Sequence, residues 1–263
     1  MYKESSVNPF FPNDAAKPLL EFAKEQYERK GQNVHFIKNN DEANELLDPC
    51  GKFPHAFVLA CIMDRQISAE NAWTIPFWIK GKIHGFDIKD LLPLSKDEIQ
   101  KIFLGFPKQH RFPVRMAECF FKAVHTIQNK YNGDARKIWN DNPPSGLLVS
   151  RFLDFEGVGV KIASMATNIL VRQFRISVKD RHCIDISPDT HTVRVFQRLN
   201  LTQGDSIKKT IYMARVINPE YPGILDYPCW KVGQDFCKAK KQQCINEKGT
   251  CPFFSFCPSR TEN

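Results

Sequence analysis

Two amphipathic segments separated by a short turn constrain the fold of this chain more than any other feature of its sequence. Before the turn, Leu148, Phe152 and Phe155 recur with the spacing of one helix face. After it, a second apolar stripe has the same period and consists of Ile162, Ala163, Ala166, Ile169 and Leu170. Gly157 and Gly159 lie between the two stripes. The pattern therefore predicts two helices joined by a tight turn.

The glycines of this turn would let a ligand approach the backbone closely, because glycine has no side chain and tolerates positive φ. The N–H groups at the N-terminus of the second helix point towards such a ligand and favour an anion. Gly157, Gly159 and Val160 are therefore candidate contacts to a phosphate group. The turn by itself leaves another interpretation open, which is an ordinary glycine-rich connector between two helices.

Lys161 and Asp189 are the two residues whose chemistry and context suggest a reaction. Lys161 ends the segment FEGVGVK, and Asp189 begins the segment DTHTVRV. A lysine amine can act as a covalent nucleophile once it has lost its proton. A carboxylate can stabilise positive charge or relay a proton. Taken alone, Asp189 is equally suited to be a helix N-cap, and Lys161 could serve only to bind phosphate.

The order of these motifs resembles the helix-hairpin-helix signature of the endonuclease III superfamily of DNA glycosylases. That superfamily has an apolar-x-Gly-Val-Gly-x-Lys-x-Ala hairpin, then a strand-like segment, then Asp-Thr-His. Here residues 155–163 match the hairpin and residues 189–191 match the second motif. The superfamily also holds an iron–sulfur cluster near its C-terminus, where this chain is rich in cysteine. The resemblance covers the chain from about Pro54 onward and implies that Lys161 and Asp189 are catalytic.

Four C-terminal cysteines are the candidate metal ligands, namely Cys237, Cys244, Cys251 and Cys257. They are separated by six, six and five residues, whereas zinc sites usually pair their ligands as Cys-x2–4-Cys. We therefore predict a 4Fe-4S cluster, with zinc or free thiols as the alternatives. The superfamily usually has only two residues in the middle interval. Cys229 is a further cysteine that could substitute as a ligand.

Three lysines lie between the first two of these cysteines, at Lys238, Lys240 and Lys241. Lysines in a loop held at both ends can neutralise phosphates and release counterions. By the resemblance, this is the loop that contacts the DNA backbone. A solvated basic loop without a DNA contact is the alternative.

A side chain that fills the gap left by a flipped base is also implied by the resemblance. Met63 falls at the position where relatives carry this residue, and a methionine can act as an apolar wedge between bases. Arg65 and Gln66 follow closely and could reach the same gap. Phe112 is one of several aromatic residues that could stack on a base, although aromatic residues are more often part of a core.

Net charge agrees with a polyanionic partner. The chain has 37 Lys and Arg residues against 29 Asp and Glu residues, a formal net charge of +8. Its N-terminus lacks the basic-then-apolar pattern of a signal peptide, and the apolar run at 56–63 is too short to span a bilayer. We therefore expect a cytoplasmic, chromosome-associated monomer whose partner is double-stranded DNA with a lesion, mismatch or abasic site, and no membrane partner.

The fold predicted from these patterns is mainly α. It is a two-domain helix-hairpin-helix DNA glycosylase fold, with a helical barrel domain at 45–173 and an iron–sulfur cluster domain made from 1–44 and 174–263. The resemblance places the site in the cleft between these domains. Residues 175–187 favour a short β-hairpin. Helices are predicted from residue 13 or 14 to about 31 and at 40–48, 54–66, 69–80, 95–104, 112–131, 145–155, 159–173, 189–199, 205–217 and 224–236.

The resulting hypothesis is a DNA repair glycosylase that flips out and excises a damaged or mismatched base. Lys161 would form a Schiff base and give the enzyme an associated abasic-site lyase activity. Two alternatives remain, a monofunctional glycosylase that uses water and a noncatalytic iron–sulfur protein that binds DNA. Lys161 favours the first, because monofunctional relatives usually carry another residue there, and Asp189 argues against a noncatalytic protein.

Overall fold

A computed structural model describes residues 13–29, 36–108, 110–204, 206–240 and 250–260. The described residues are mainly helical and contain no β-strand, which confirms the predicted mainly α fold. None of the described helices has both the length and the apolar character needed to cross a membrane. The α-helices are α1 (Ala16–Glu28), α2 (Asp41–Leu46), α3 (Pro54–Met63), α4 (Ala69–Lys80), α5 (Ile88–Leu91), α6 (Lys96–Leu104), α7 (Pro113–Tyr131), α8 (Ser145–Leu153), α9 (Val160–Arg172), α10 (Thr190–Arg198), α11 (Ile207–Ile217) and α12 (Asp226–Asp235).

The chain divides into two compact units. Residues 32–179 form the first, which contains α2 to α9 and is called the helical unit here. Residues 1–31 and 180–263 form the second, which contains α1 and α10 to α12 and is called the terminal unit. The segments from the two ends of the chain thus belong to one body.

The helical unit is built around α3, whose residues are all buried. A helix that is apolar on every side is stable in water only when other helices surround it. Here α3 contacts α4, α7 and α9. Its last residue, Met63, is followed by a loop that lies next to the turn between α8 and α9, since Arg65 contacts Gly157. The core helix therefore delivers the residues that follow it to the glycine-containing turn.

The β-hairpin at 175–187 is not formed, although every residue of this segment is described. Its two arms belong to different units, and their backbone groups bond elsewhere. Lys179 N–H donates to the carbonyl of Pro143, and the carbonyl of Ile184 accepts from Gly223 N–H. The apolar residues of the second arm, Ile184 and Ile186, are buried, while Ile176 and Val178 of the first arm are partly buried against the core of the helical unit. The hairpin prediction was therefore wrong.

In the terminal unit, α10 and α12 pack at very close range. A side-chain carbon at Gly233 would lie 2.7 Å from Cβ of His191, so only glycine fits there. Arg194 of α10 spans this contact, because its Nε donates to the carbonyl of Cys237 at 2.7 Å and its Nη2 to that of Gly233 at 2.8 Å. These bonds hold the segment after α12 against α10.

Candidate functional site

The turn between α8 and α9 needs a glycine at only one of its two glycine positions. Gly157 has φ 86°, and a Cβ there would lie 2.9 Å from Sγ of Cys119. Gly159 is extended, with φ −107° and ψ −178°, and a Cβ there would meet no atom within 4 Å. Gly157 is therefore required by backbone conformation and packing. Gly159 instead leaves open space beside the start of α9.

The N-terminus of α9 is exposed and carries no side-chain cap. Gly159 is the N-cap residue and has no side chain to accept from the first N–H groups of the helix. Val160 follows with 52% of its surface exposed. An open helix N-terminus carries partial positive charge and donor N–H groups, both of which suit a phosphate.

Lys161 faces a carboxylate that sequence analysis did not single out. Its Nζ lies 3.2 Å from Oδ2 of Asp64, the residue directly after α3. The Asp64 side chain is only 11% exposed, while that of Lys161 is 40% exposed. The two residues are 97 positions apart, so no local pattern could have paired them.

The three candidate wedge residues fall into two environments. Met63 is completely buried at the end of α3. It would have to leave the core to enter DNA. Arg65 and Gln66 are exposed in the loop that follows. Arg65 Nη1 lies 3.4 Å from the carbonyl of Gly157, which ties this loop to the glycine turn.

A buried histidine contacts the end of α3. The N–H of Phe112 donates to Nδ1 of His110 at 3.0 Å, and Nε2 of His110 lies 3.1 Å from the carbonyl of Met63. Because Nδ1 accepts, Nε2 carries the proton and donates to that carbonyl. Burial lowers the pKa of His110, against the opposing effect of the Met63 bond. The neutral ring thus holds the end of α3, while Phe112 itself is exposed.

Asp189 is the N-cap of α10. Its Oδ1 accepts from the N–H groups of His191 at 2.9 Å and Thr192 at 2.8 Å, and its own N–H donates to Thr192 Oγ1. Both side-chain bonds of the cap use Oδ1, so Oδ2 takes no part in it. The N-cap role that the sequence suggested for Asp189 is thus present in the structure. Asp189 belongs to the terminal unit and Lys161 to the helical unit.

Three of the four candidate cluster ligands line one cavity of the terminal unit. Cys237, Cys251 and Cys257 are on its wall, and Cys244 lies outside the described residues. The apolar part of the wall comes from Val195, Leu199, Val232, Phe236, Phe253 and Phe254. Cys229 is fully buried and is not part of this wall, and burial raises the pKa of its thiol well above the usual value.

An arginine donates to one of these sulfurs. Arg198 Nη1 lies 3.2 Å from Sγ of Cys237, and its Nη2 donates to the carbonyl of Ala239. Sγ of Cys257 lies 3.8 Å from the carbonyl of the same arginine. A guanidinium beside a sulfur suits a thiolate, the form that binds metal. These cysteines are of the residue type that ligates an iron–sulfur cluster. Among the described residues, no group of histidine, cysteine and acidic side chains is arranged so that it could hold a single metal ion.

The basic residues after α12 are only partly described. Lys238 is half-buried, and its Nζ donates to the carbonyl of Gln234 in α12. Lys240 is exposed, and Lys241 lies outside the described residues. Of the two described lysines, Lys240 is thus the more exposed.

Solved DNA glycosylases have the same fold. A structure of endonuclease III trapped as a covalent intermediate on DNA matches with a TM-score of 0.60 and 19% identity, covering 92% of this chain and 93% of that chain. A thermostable thymine-DNA glycosylase matches with a TM-score of 0.57 and 17% identity, covering 94% of this chain and 99% of that chain. These matches confirm the predicted helix-hairpin-helix glycosylase fold.

A non-covalent complex of endonuclease III with DNA also matches, with a TM-score of 0.59 and 19% identity over 92% of each chain. No protein-family model and no curated protein sequence matches this chain. The likeness is therefore one of fold, and the roles of individual residues depend on their own chemistry.

Proposed function

We propose that this chain is a DNA glycosylase that flips a damaged or mismatched base out of duplex DNA and excises it with Lys161 as the nucleophile. The observation that carries the proposal is the position of Lys161 in the first turn of α9, directly after an exposed helix N-terminus without a side-chain cap. An amine held beside a phosphate-binding backbone is close to the sugar that the phosphate belongs to.

Binding would use backbone and side chains together. The N–H groups at the start of α9 would contact one phosphate, in the open space beside Gly159. Arg65 or Gln66 would enter the gap left by the flipped base. The lysines at 238, 240 and 241 would neutralise further phosphates. We propose that the protein acts on chromosomal DNA as a monomer.

The chemistry follows from the two residue types. The ammonium group of Lys161, paired with Asp64, first gives a proton to solvent. The neutral amine then attacks C1′, the bond from C1′ to the base breaks, and the base leaves with the bonding electrons and takes up a proton. The adduct loses a proton and opens to a Schiff base, after which β-elimination cleaves the strand on the 3′ side. Asp189 stabilises the positive charge that develops on the sugar. Asp189→Asn should slow base release by about 100-fold.

We further propose that Cys237, Cys244, Cys251 and Cys257 hold a 4Fe-4S cluster, which would cross-link the chain and keep the basic loop in place. Anaerobically purified protein should then contain about four irons and four sulfides per chain. One zinc ion per chain without sulfide would overturn this assignment.

A monofunctional glycosylase that activates water is the second candidate. The ion pair between Lys161 and Asp64 favours it, because an ammonium ion is no nucleophile until it loses its proton. In that enzyme Lys161 would only bind phosphate. A noncatalytic DNA-binding protein would use the same contacts without releasing a base.

Borohydride trapping on a panel of lesion-containing duplexes separates these functions. The wild-type protein should form a reduced covalent adduct with any duplex from which it releases a base, and Lys161→Ala should form none. Lys130→Ala is the matched control, since Lys130 also pairs with an aspartate of the helical unit, Asp154, but on the surface. Base release without trapping would identify the monofunctional enzyme, and no release from any lesion would identify the noncatalytic protein.

A further inference from the structure

Asp64 carries a nearly buried carboxylate, and a buried charge needs a stabilising partner. It follows directly after the buried helix α3, and its N–H donates to the carbonyl of Cys61. Its side chain is almost enclosed. Burial of an ionised group is unfavourable unless it is paired, and the partner across the helical unit is Nζ of Lys161 at 3.2 Å.

This ion pair differs from the other lysine pairs of the helical unit. The acidic partner of Lys130 is Asp154, whose side chain is 43% exposed, while the partners of Lys80 and Lys122 are Glu42 at 67% and Glu118 at 33%. Exposed pairs of this kind hold a lysine only weakly. Asp64 is anchored by the core, so its Oδ2 is a fixed point for the flexible stem of Lys161.

Among the charged and titratable groups around Asp64, Lys161 is the one that pairs with its carboxylate. Arg65 is adjacent in sequence, but its Nη1 is directed to the carbonyl of Gly157. His110 faces the same region as a neutral ring, and Cys61 is a fully buried thiol whose pKa is raised well above its usual value. The two consecutive residues Asp64 and Arg65 thus hold the amine and the turn that precedes it.

We propose that Asp64 is a positioning residue that holds the amine of Lys161 in one place before it attacks C1′. This inference rests on the proposed function, in which Lys161 is the nucleophile. A lysine side chain has a flexible four-carbon stem, and attack needs the nitrogen within a narrow range of positions. The loss of the carboxylate should therefore reduce the rate of attack without weakening the backbone contacts that bind DNA.

The test compares Asp64→Asn, Asp64→Glu and the control Asp154→Asn in single-turnover borohydride trapping on an abasic duplex. Asp64→Asn should lower the trapping rate by about 100-fold, while the dissociation constant of the duplex stays near that of the wild type. Asp64→Glu should recover part of the rate, because it restores a carboxylate. Asp154→Asn should trap at the wild-type rate. Equal rates for Asp64→Asn and wild type would overturn the proposal.

A second measurement needs no DNA and so separates this proposal from the proposed function. Reductive methylation of the free protein, followed by peptide mass spectrometry, reports the reactivity of each lysine. Lys161 should react several-fold faster in Asp64→Asn than in wild type, with Lys130 as the internal standard. An unchanged Lys161 rate overturns the positioning role even if trapping is normal. A faster Lys161 in a protein that never traps would instead support the contact and reject the lysine nucleophile.

Discussion

The N-termini of α9 and α10 have nearly the same backbone but opposite surroundings. Gly159 before α9 has φ −107° and ψ −178°, and Asp189 before α10 has φ −110° and ψ −178°. Asp189 satisfies two N–H groups of its helix, whereas Gly159 satisfies none with a side chain. The comparison teaches that the side chain of the N-cap residue decides whether a helix start is closed by the protein or left open to a ligand.

Neither backbone conformation nor packing requires glycine at position 159. Any residue can adopt its extended backbone, and a Cβ would fit without touching another atom. Serine, threonine, aspartate or asparagine there would cap α9 and stabilise the helix. The open end is less stable than a capped one, and it keeps donors available beside Lys161.

The largest expected effect is a difference in stability between alanine substitutions at the two glycines of the turn. Gly157→Ala should lower the free energy of unfolding of the helical unit by about 3 kcal/mol, because it forces a side chain into positive φ and against Cys119. Gly159→Ala should change it by less than about 1 kcal/mol. Urea unfolding followed by tryptophan fluorescence measures both, and equal losses would contradict the distinction.

The next largest effect is expected when the N-terminus of α9 is given a side-chain cap. Gly159→Asp gives α9 the cap that α10 has, so stability should stay the same or rise by up to about 1 kcal/mol. Binding to an abasic duplex should weaken by about 30-fold, since the carboxylate occupies the phosphate position and repels it. Gly159→Ser, which caps without charge, should show a smaller loss. If Gly159→Asp binds DNA as tightly as wild type, α9 is not a phosphate site.

The converse change removes the side-chain cap from the N-terminus of α10. Asp189→Ala should lower the free energy of unfolding by about 1 kcal/mol, because the N–H groups of His191 and Thr192 lose their acceptor. Asp189→Asn should keep most of this stability, since asparagine is an equally good N-cap. Chemical unfolding curves compare the two variants. A full loss in Asp189→Asn would show that the charge, rather than the cap, stabilises α10.

The smallest effect concerns the salt dependence of binding. Replacement of Lys238, Lys240 and Lys241 by alanine should flatten the plot of log affinity against log salt by roughly one unit for each phosphate that is no longer neutralised. Gly159→Ser should leave this slope unchanged, because backbone N–H groups carry no net charge. Fluorescence anisotropy at several salt concentrations gives both slopes, and a slope unchanged in the triple variant would remove the basic loop from the DNA interface.

The helices around the site follow closely from the sequence. The predicted helix at 159–173 is found at Val160–Arg172, and the one at 112–131 is found at Pro113–Tyr131. The short helix Ile88–Leu91 was missed, since four residues are too few to show a helical period. The end of α3 also differs, because it stops at Met63 while the prediction continued to residue 66.

By itself, the sequence determined the features that depend on residues within one or two helical turns of each other. These are the glycine turn, the cap at Asp189 and the bounds of most helices, because backbone conformation and capping are local. Only the tertiary structure decided that Met63 is buried, that Asp64 faces Lys161 and that three cysteines share one cavity. These facts depend on which distant segments pack together. Apolar periodicity shows that a helix face is buried, but it does not show which segment covers that face.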